Sequence, residues 1–548
     1  MKQIVLFLAC IALFSCKQNK ETPSEEVTQS PADTTAVKER EYAVLDSKVI
    51  NNEAIWADFD TDLGDFLHSD YNRISALVIE KTIPEIKQSI ADGDLTYEDL
   101  VLFYLSRIKK FDRENDLSLN SVIAVNPDVL EQAKALDEST EEIDIYSIKG
   151  MPILLKDNID AAGMPTTAGA VAFENNNADD SFIVERLKES GALILGKANL
   201  SEWAYFFCGD CPSGYSAVGG QTLNPYGRKI HDTGGSSSGS GVATAANFAV
   251  AAIGTETSGS ILSPSSSNSV VGLKPTIGLL SRGGIVPISS TLDTPGPMTK
   301  FVIDNAILLN ALTGKDNADP SSKKLNAPEE DYVAGIKEIN DVKQFLSEKR
   351  LGYFKGSMED TLYAQAVNDL KSAGATMVEL DRQDIKLPQF GRVLNLDMQK
   401  DLPDYVEKYG DKSLSQRDVK SITTFNKEDS IVRMPYGQKL FYGILADSAS
   451  AKEFAAIKDT LQTNGRAFFD IPLKENDLDA VLSINNYMAG YAAVAKYPAI
   501  TVSMGYQEDN RPMGLTFMAP TLSEKKLLEL AYAYESISHK RKFPSDYK

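Results

Sequence analysis

The sequence predicts an α/β protein, with a mostly parallel or mixed β-sheet and helices on both of its faces. Three observations carry this. Segments of helical period alternate with short apolar runs of strand length over most of the chain, and such alternation covers a sheet on both sides. No internal repeat breaks the pattern. The 548 residues, 43% hydrophobic and 24% charged, supply ample apolar surface for a large core.

The elements follow in chain order, beginning with a targeting segment. Lys2 gives a positive charge, and residues 4–14 are an unbroken apolar run, shorter than the roughly 20 residues that span a bilayer. The run ends at Leu13-Phe14-Ser15-Cys16. A small residue before a cysteine, after an apolar core, resembles the bacterial lipoprotein signal. Residues 1–15 are read as the signal peptide and Cys16 as the lipidated first residue of the mature chain; an ordinary secretory signal cut nearby is the competing reading. Residues 17–40 are polar and lack aromatics, so 16–45 is assigned to a disordered tether. This places the protein at the bacterial cell envelope, periplasmic or outer-membrane associated, touching the membrane through its lipid anchor alone.

Thr96 starts the first clear helix, with its hydroxyl placed to cap the amide of Asp99. Leu100, Val101, Tyr104, Leu105 and Ile108 then recur at helical spacing as a core-facing stripe. Asn126-Pro127 opens another helix through Leu136. Residues 152–155, bounded by Gly150 and the polar Lys156-Asp157-Asn158, read as a buried strand ending at Lys156. A helix is predicted over 182–190 and a strand over 192–195, closed by Gly196. Residues 242–252 are dense in small side chains and read as a helix that neighbours can approach closely. Strands follow at 350–354, 376–380, 480–484 and 498–504, with helices over 363–373 and 522–536. Residues 385–475 carry long polar stretches and weak strand signals, and are assigned to a mostly helical insertion on the substrate side.

Charge and cysteine usage exclude some functions. The net charge is −21, and an acidic field repels a phosphate backbone, so no nucleic-acid partner is expected. Only His68, His231 and His539 are available beside Cys10, Cys16, Cys208 and Cys211; a Cys/His metal site is poorly supplied, and no metal is expected. Cys208-Gly-Asp-Cys211 reads as a local disulfide or two free thiols in a loop, because the strand–helix context of a redox motif is missing.

Two glycine- and serine-rich turns carry the chemistry: Gly234-Gly235-Ser236-Ser237-Ser238-Gly239-Ser240-Gly241 and Gly254-Thr255-Glu256-Thr257-Ser258-Gly259-Ser260. Each alone has the composition of a flexible linker, but apolar, element-forming sequence flanks both. Consecutive backbone N–H groups on such turns bind a developing oxyanion. A serine nucleophile needs a base. Histidine is the usual one, yet only His231 lies nearby, in a polar loop that reads as surface. Lys156 is the alternative. Its pKa must fall by roughly three units from about 10.4, a cost of about 4 kcal/mol, and burial at the end of an apolar strand has that effect. A buried lysine paired with Asp157 is the competing reading at this point.

Together these residues resemble the amidase signature family. The segment GGSSSGSGVATAA (234–246) is followed by GTETSGSILSPSSSNSVVGLKPT (254–276), and Ser260 lies 24 residues after Ser236, the family's spacing of nucleophile and cis-serine. GMPTTAG (163–169), GALILGKANLSEWA (191–204), GYSAVGGQTLNPY (214–226), GLLSRGGIVPIS (278–289), DTPGPM (293–298) and YPAITVSMGY (497–506) extend the match from about 80 to 540. One domain over 46–545 is implied, closest in motif wording to the peptide-amidase-like branch. The resemblance implies Ser260 as nucleophile, Ser236 after a cis peptide bond as proton relay, and neutral Lys156 as base. It further implies an oxyanion hole of Thr257, Ser258, Gly259 and Ser260 N–H groups, with Ser237 helping to hold Lys156. The implied reaction is hydrolysis of the C–N bond of a small amide or peptide amide through an acyl-enzyme, without a cofactor. The chain departs from the family at Ser258, where glycine is frequent, at Leu262, where arginine is frequent, and at Asn268-Ser269 for a frequent Asn-Gly. The export signal argues against an amidotransferase subunit that acts on tRNA. A binding lipoprotein that kept the fold without turnover is the competing function. Nothing in the sequence bears on self-association.

Overall fold

Eleven strands form one mixed sheet in the computed structural model, which describes residues 39–113 and 115–548. The signal peptide, Cys16 and the tether up to residue 38 lie outside the described residues. In chain order the strands are β1 (Val122–Val125), β2 (Pro152–Lys156), β3 (Leu193–Ala198), β4 (Ala251–Glu256), β5 (Val271–Lys274) and β6 (Thr294–Thr299). They continue as β7 (Arg350–Phe354), β8 (Thr376–Leu380), β9 (Ala480–Ile484), β10 (Ala499–Tyr506) and β11 (Pro512–Met518). Across the sheet they run β1-β3-β2-β4-β6-β5-β10-β11-β9-β7-β8. The β3-β2-β4 and β9-β7-β8 groups are parallel, and the other neighbours are antiparallel.

Strands β2 to β6 are buried at every position, as expected for strands covered on both faces. Helix Tyr97–Phe111 starts where the capping residue places it, with Thr96 Oγ1 accepting the Asp99 N–H at 3.0 Å. Helix Val302–Leu312 is buried almost all round and packs on the sheet. Helices Phe182–Glu189, Thr361–Ser372 and Glu524–Ser538 lie within two residues of their predicted bounds. Residues 385–475 contain helices Phe390–Lys408, Val419–Glu428, Ser430–Arg433, Lys439–Ala446 and Ala451–Glu475 and, among the described residues, no strand.

Three local expectations are corrected. Gly196 does not close its strand: β3 continues to Ala198, and glycine stands there because any Cβ would lie 2.2 Å from the Ala124 carbonyl oxygen of β1. The small-residue run 242–252 is not one helix. Helix Ser238–Ala245 ends early, and Ala251 begins β4. Its small residues serve packing: a Cβ on Gly239 would lie 2.4 Å from the Asn199 carbonyl oxygen. Finally, residues 39–45, assigned to the tether, are hydrogen-bonded to the body. Arg40 N–H donates to the Lys229 carbonyl, Arg40 pairs with Asp232 at 2.7 Å, and Leu45 O accepts the Gln221 N–H.

Candidate active site

Lys156 ends β2 in the middle of the sheet, between β3 and β4, with no exposed surface. Its Nζ has three neighbours: Ser236 Oγ at 2.8 Å, Thr255 Oγ1 at 2.8 Å and Thr255 O at 3.2 Å. Burial drives its pKa down to about 7, against the opposing pull of Asp293 and Glu256. The competing pairing with Asp157 is not formed. Asp157 turns instead to Lys197, 3.2 Å away and equally buried, and accepts the Thr167 N–H.

Two turns meet in front of Lys156. The Gly235–Ser236 peptide bond is cis, and Ser236 O accepts the Ser201 N–H. The turns are tied together where Ser237 N–H donates to Ser260 O at 3.1 Å. Gly234, at φ +64°, lies where a Cβ would be 2.7 Å from Ser263 O. Ser237 Oγ makes no hydrogen bond to Lys156. It donates to Thr255 O and accepts the Thr255 N–H, so it reaches the lysine through Thr255.

The second turn is held by Glu256, whose Oε2 accepts the N–H groups of Ile261 and Leu262 at 2.8 and 3.0 Å. The N–H groups of Thr257, Ser258, Gly259 and Ser260 find no acceptor among the described residues. Gly259 has φ +91°, and its missing Cβ would lie 2.9 Å from Asn486 Nδ2, so conformation and close approach both require glycine. Leu262, at a position where the family often has arginine, is fully buried among Met488, Ala489 and Ala492. Ser258 faces the same helix, Ala489–Ala495, near Gly490.

Thr255, Asn158 and Asp293 complete the site, and sequence reasoning assigned them no role. Asn158 Nδ2 donates to Thr255 Oγ1 at 3.1 Å. Asp293 accepts from Thr257 Oγ1 at 2.5 Å and from the Ile288 and Ser289 N–H groups, and desolvation pushes its carboxyl up to about 6. All three stand in motifs already noted, KDN, GTET and DTPGPM, which is the signal that pointed to them. They line a narrow opening of about 10 Å³ with Ala204, room for about one water. Ala204 sits in a left-handed stretch with Trp203 and Tyr205, at φ 52°, 53° and 75°. Tyr205 OH donates to Cys211 O at 2.8 Å, and Cys211 is disulfide-bonded to Cys208.

His231 is buried rather than on the surface, the opposite of the expectation from its polar loop. Its ring occupies the space a Cβ on Gly227 would take, and Nε2 lies 2.9 Å from Asp509 O. None of its hydrogen bonds goes to a residue of the two turns or to Lys156. Among the described residues no group of three or more His, Cys, Asp or Glu side chains is placed to hold a metal ion.

The chain and its fold are similar to known proteins. The family model described as Amidase matches residues 99–434. A protein of Arabidopsis thaliana named a probable amidase is 35% identical over 488 residues, covering 85% of this chain and 91% of the relative. The solved structure of an amidase family protein from Bacillus anthracis superposes with a TM-score of 0.86 at 36% identity, covering 92% of this chain and 99% of the other. That of the native peptide amidase from Stenotrophomonas maltophilia superposes with a TM-score of 0.80 at 36% identity, covering 85% and 98%.

Proposed function

This chain belongs to the amidase signature family, and from that premise we propose that it hydrolyses the C–N bond of a small amide or peptide amide through Ser260, Ser236 and Lys156. The observation that carries the reading is the surroundings of Lys156 Nζ. A neutral amine has two N–H donors and one lone pair. Thr255 O and Thr255 Oγ1 take the donors, which leaves the lone pair for the Ser236 hydroxyl proton.

The steps then follow. Ser236 O–H donates to Lys156 while its oxygen takes the Ser260 proton, and Ser260 Oγ attacks the amide carbonyl. The negative oxygen of the tetrahedral intermediate is stabilised by the free N–H groups of the 257–260 turn. On collapse the C–N bond breaks, and the proton held by Lys156 returns through Ser236 to the leaving nitrogen. Ammonia or an amine departs, and an ester on Ser260 remains. Water attacks this ester, passing its proton along the same relay, and the carboxylic acid is released.

The test is ammonia release from aliphatic and aryl amides, amino-acid amides and C-terminally amidated peptides, each beside Ser260→Ala. Peptide amides come first, because the Stenotrophomonas relative is named a peptide amidase. Release that persists unchanged in the variant overturns the assignment. His231→Ala is expected to keep kcat/KM within about twofold of the parent, since the ring touches no reacting group; a loss of about a hundredfold, the scale of a missing general base, overturns the lysine-base reading.

We also propose that lipid on Cys16 holds the enzyme at the bacterial envelope. The lipoprotein-like end of the signal segment supports this. Metabolic labelling with a fatty-acid analogue is expected to mark the parent and not Cys16→Ala, with the variant released to the soluble fraction. Equal labelling of both overturns it.

A further inference from the structure

Two consecutive asparagines follow strand β9, and the fold uses them differently. Asn485 stands at φ 47°, a left-handed conformation that asparagine adopts more readily than most residues. Its N–H donates to Gly514 O at 2.8 Å, its Oδ1 accepts the Gly514 N–H at 2.7 Å, and its carbonyl accepts from Thr516 Oγ1. Strand β11 thus pins the turn that leaves β9. On the other side, Asn486 O accepts the Ala489 N–H at 2.9 Å. The Asn486 side chain is presented from this fixed backbone, and it makes no hydrogen bond among the described residues. The residue is part-exposed, and neither end of its carboxamide is sealed from solvent.

This carboxamide stands against the nucleophile turn. A Cβ on Gly259, the residue before Ser260, would lie 2.9 Å from Asn486 Nδ2 and 3.5 Å from Ala489 Cβ. The same wall continues to Gly490, where a Cβ would lie 3.5 Å from Leu387 Cδ1 and 3.8 Å from Ser258 Oγ. The Ser258 hydroxyl, at a position where the family often has glycine, likewise makes no hydrogen bond among the described residues. Leu387, Ala489 and Gly490 offer no side-chain hydrogen bond. The polar groups on the far side of the turn are already engaged: Asn158 with Thr255, and Asp293 with Thr257 and the Ile288 N–H. Asn486 is thus a rigidly held, unengaged donor and acceptor beside the residue that attacks.

We propose that Asn486 determines specificity: its carboxamide hydrogen-bonds a polar group on the acyl side of the substrate, and so selects amides whose acyl part carries a peptide group over those with a hydrocarbon one. The inference rests on the hydrolytic reading, because it takes Ser260 as the point of attack. In that reading the leaving nitrogen faces Ser236, which returns its proton, whereas the 486–490 wall is built against Ser258 and Gly259 of the other turn and faces the acyl part. A carboxamide matches a peptide group, donor to acceptor and acceptor to donor. A hydrocarbon acyl group covers the carboxamide and leaves it unpaired, which is how a polar site rejects an apolar analogue.

The experiment compares N-acetylalanine amide with 2-methylpentanamide, in which methylene groups replace the C=O and N–H of the peptide group. Ammonia release by the full protein gives kcat/KM for each. Thermal-shift titration of Ser260→Ala, with and without Asn486→Leu, gives their affinities without turnover. The parent is expected to favour the peptide-bearing amide by at least about tenfold in both readouts, and Asn486→Leu to bring the ratio within about threefold. Each protein is its own reference, so a general loss of turnover or stability cancels in the ratio. If Asn486→Leu fails to fold, Asn486→Ala is read in the same way. Equal preference in the parent, or the parental ratio in the folded variant, overturns the proposal; ammonia release that still depends on Ser260 then leaves the hydrolytic reading standing. Binding that depends on Asn486 without ammonia release from either amide does the reverse, keeping the subsite and overturning hydrolysis.

Discussion

Ser260→Ala is expected to abolish amide hydrolysis, lowering kcat/KM by roughly 10⁴-fold or more, the scale seen when a serine nucleophile is removed. The two neighbouring hydroxyls of the first turn are already engaged. The Ser236 hydroxyl is engaged by Lys156, and the Ser237 hydroxyl is held on both sides by Thr255. Stability should change little. The bond that ties the two turns is accepted by the Ser260 backbone carbonyl, which alanine retains, and among the described residues the Ser260 side chain makes no hydrogen bond that alanine would lose. A change within about 0.5 kcal/mol is expected, as for substitutions that lose no packing or buried bond. The pair of measurements, ammonia release and Tm, separates chemistry from folding. A serine-directed fluorophosphonate should label the parent and not the variant. Labelling retained in Ser260→Ala, or activity within tenfold of the parent, places the nucleophile elsewhere.

Much of this site was legible in the sequence for physical reasons. PILLK between Gly150 and a polar trio is an unambiguous buried strand, and it puts Lys156 at its end. The Gly/Ser turns were legible because apolar sequence flanks them. What was not legible depends on partners far along the chain. Thr255 reads as one more hydroxyl of a Gly/Ser turn, whereas residues 254–256 belong to β4, which lies beside β2. Strand β4 itself was absorbed into a small-residue run because alanine carries no strand signal; its identity comes from pairing on both sides. Gly196 looked like a terminator because glycine weakens strands, whereas its reason is the Ala124 carbonyl. His231 looked exposed because its neighbours are polar, but Gly227 makes room for the ring.

Lys156 makes a prediction in which activity and stability move in opposite directions. With its pKa held near 7, the neutral base is half-populated at about pH 7. The value of kcat/KM should therefore rise with pH through that point and fall about tenfold per unit below it. Asp293 favours the charged lysine, so Asp293→Asn is expected to move the rise to lower pH. Lys156→Met should remove at least about 10³ of kcat/KM. The same variant should be more stable. The folded lysine titrates near 7 and the unfolded one near 10.5, so between these values the unfolded chain binds more protons, and the parent gains stability as pH rises through the window. At pH 7 the burial of this base costs about 4 kcal/mol by that difference. The Thr255 bonds, about 1 kcal/mol each, offset part of the cost. Lys156→Met is thus expected to be stabilised by about 2 kcal/mol at pH 7, with the advantage shrinking toward pH 10. Comparing variant with parent cancels the other buried groups that titrate in the same range. A stability difference that stays flat from pH 7 to 10, or a rate that does not rise with pH, is incompatible with a neutral buried lysine as the base.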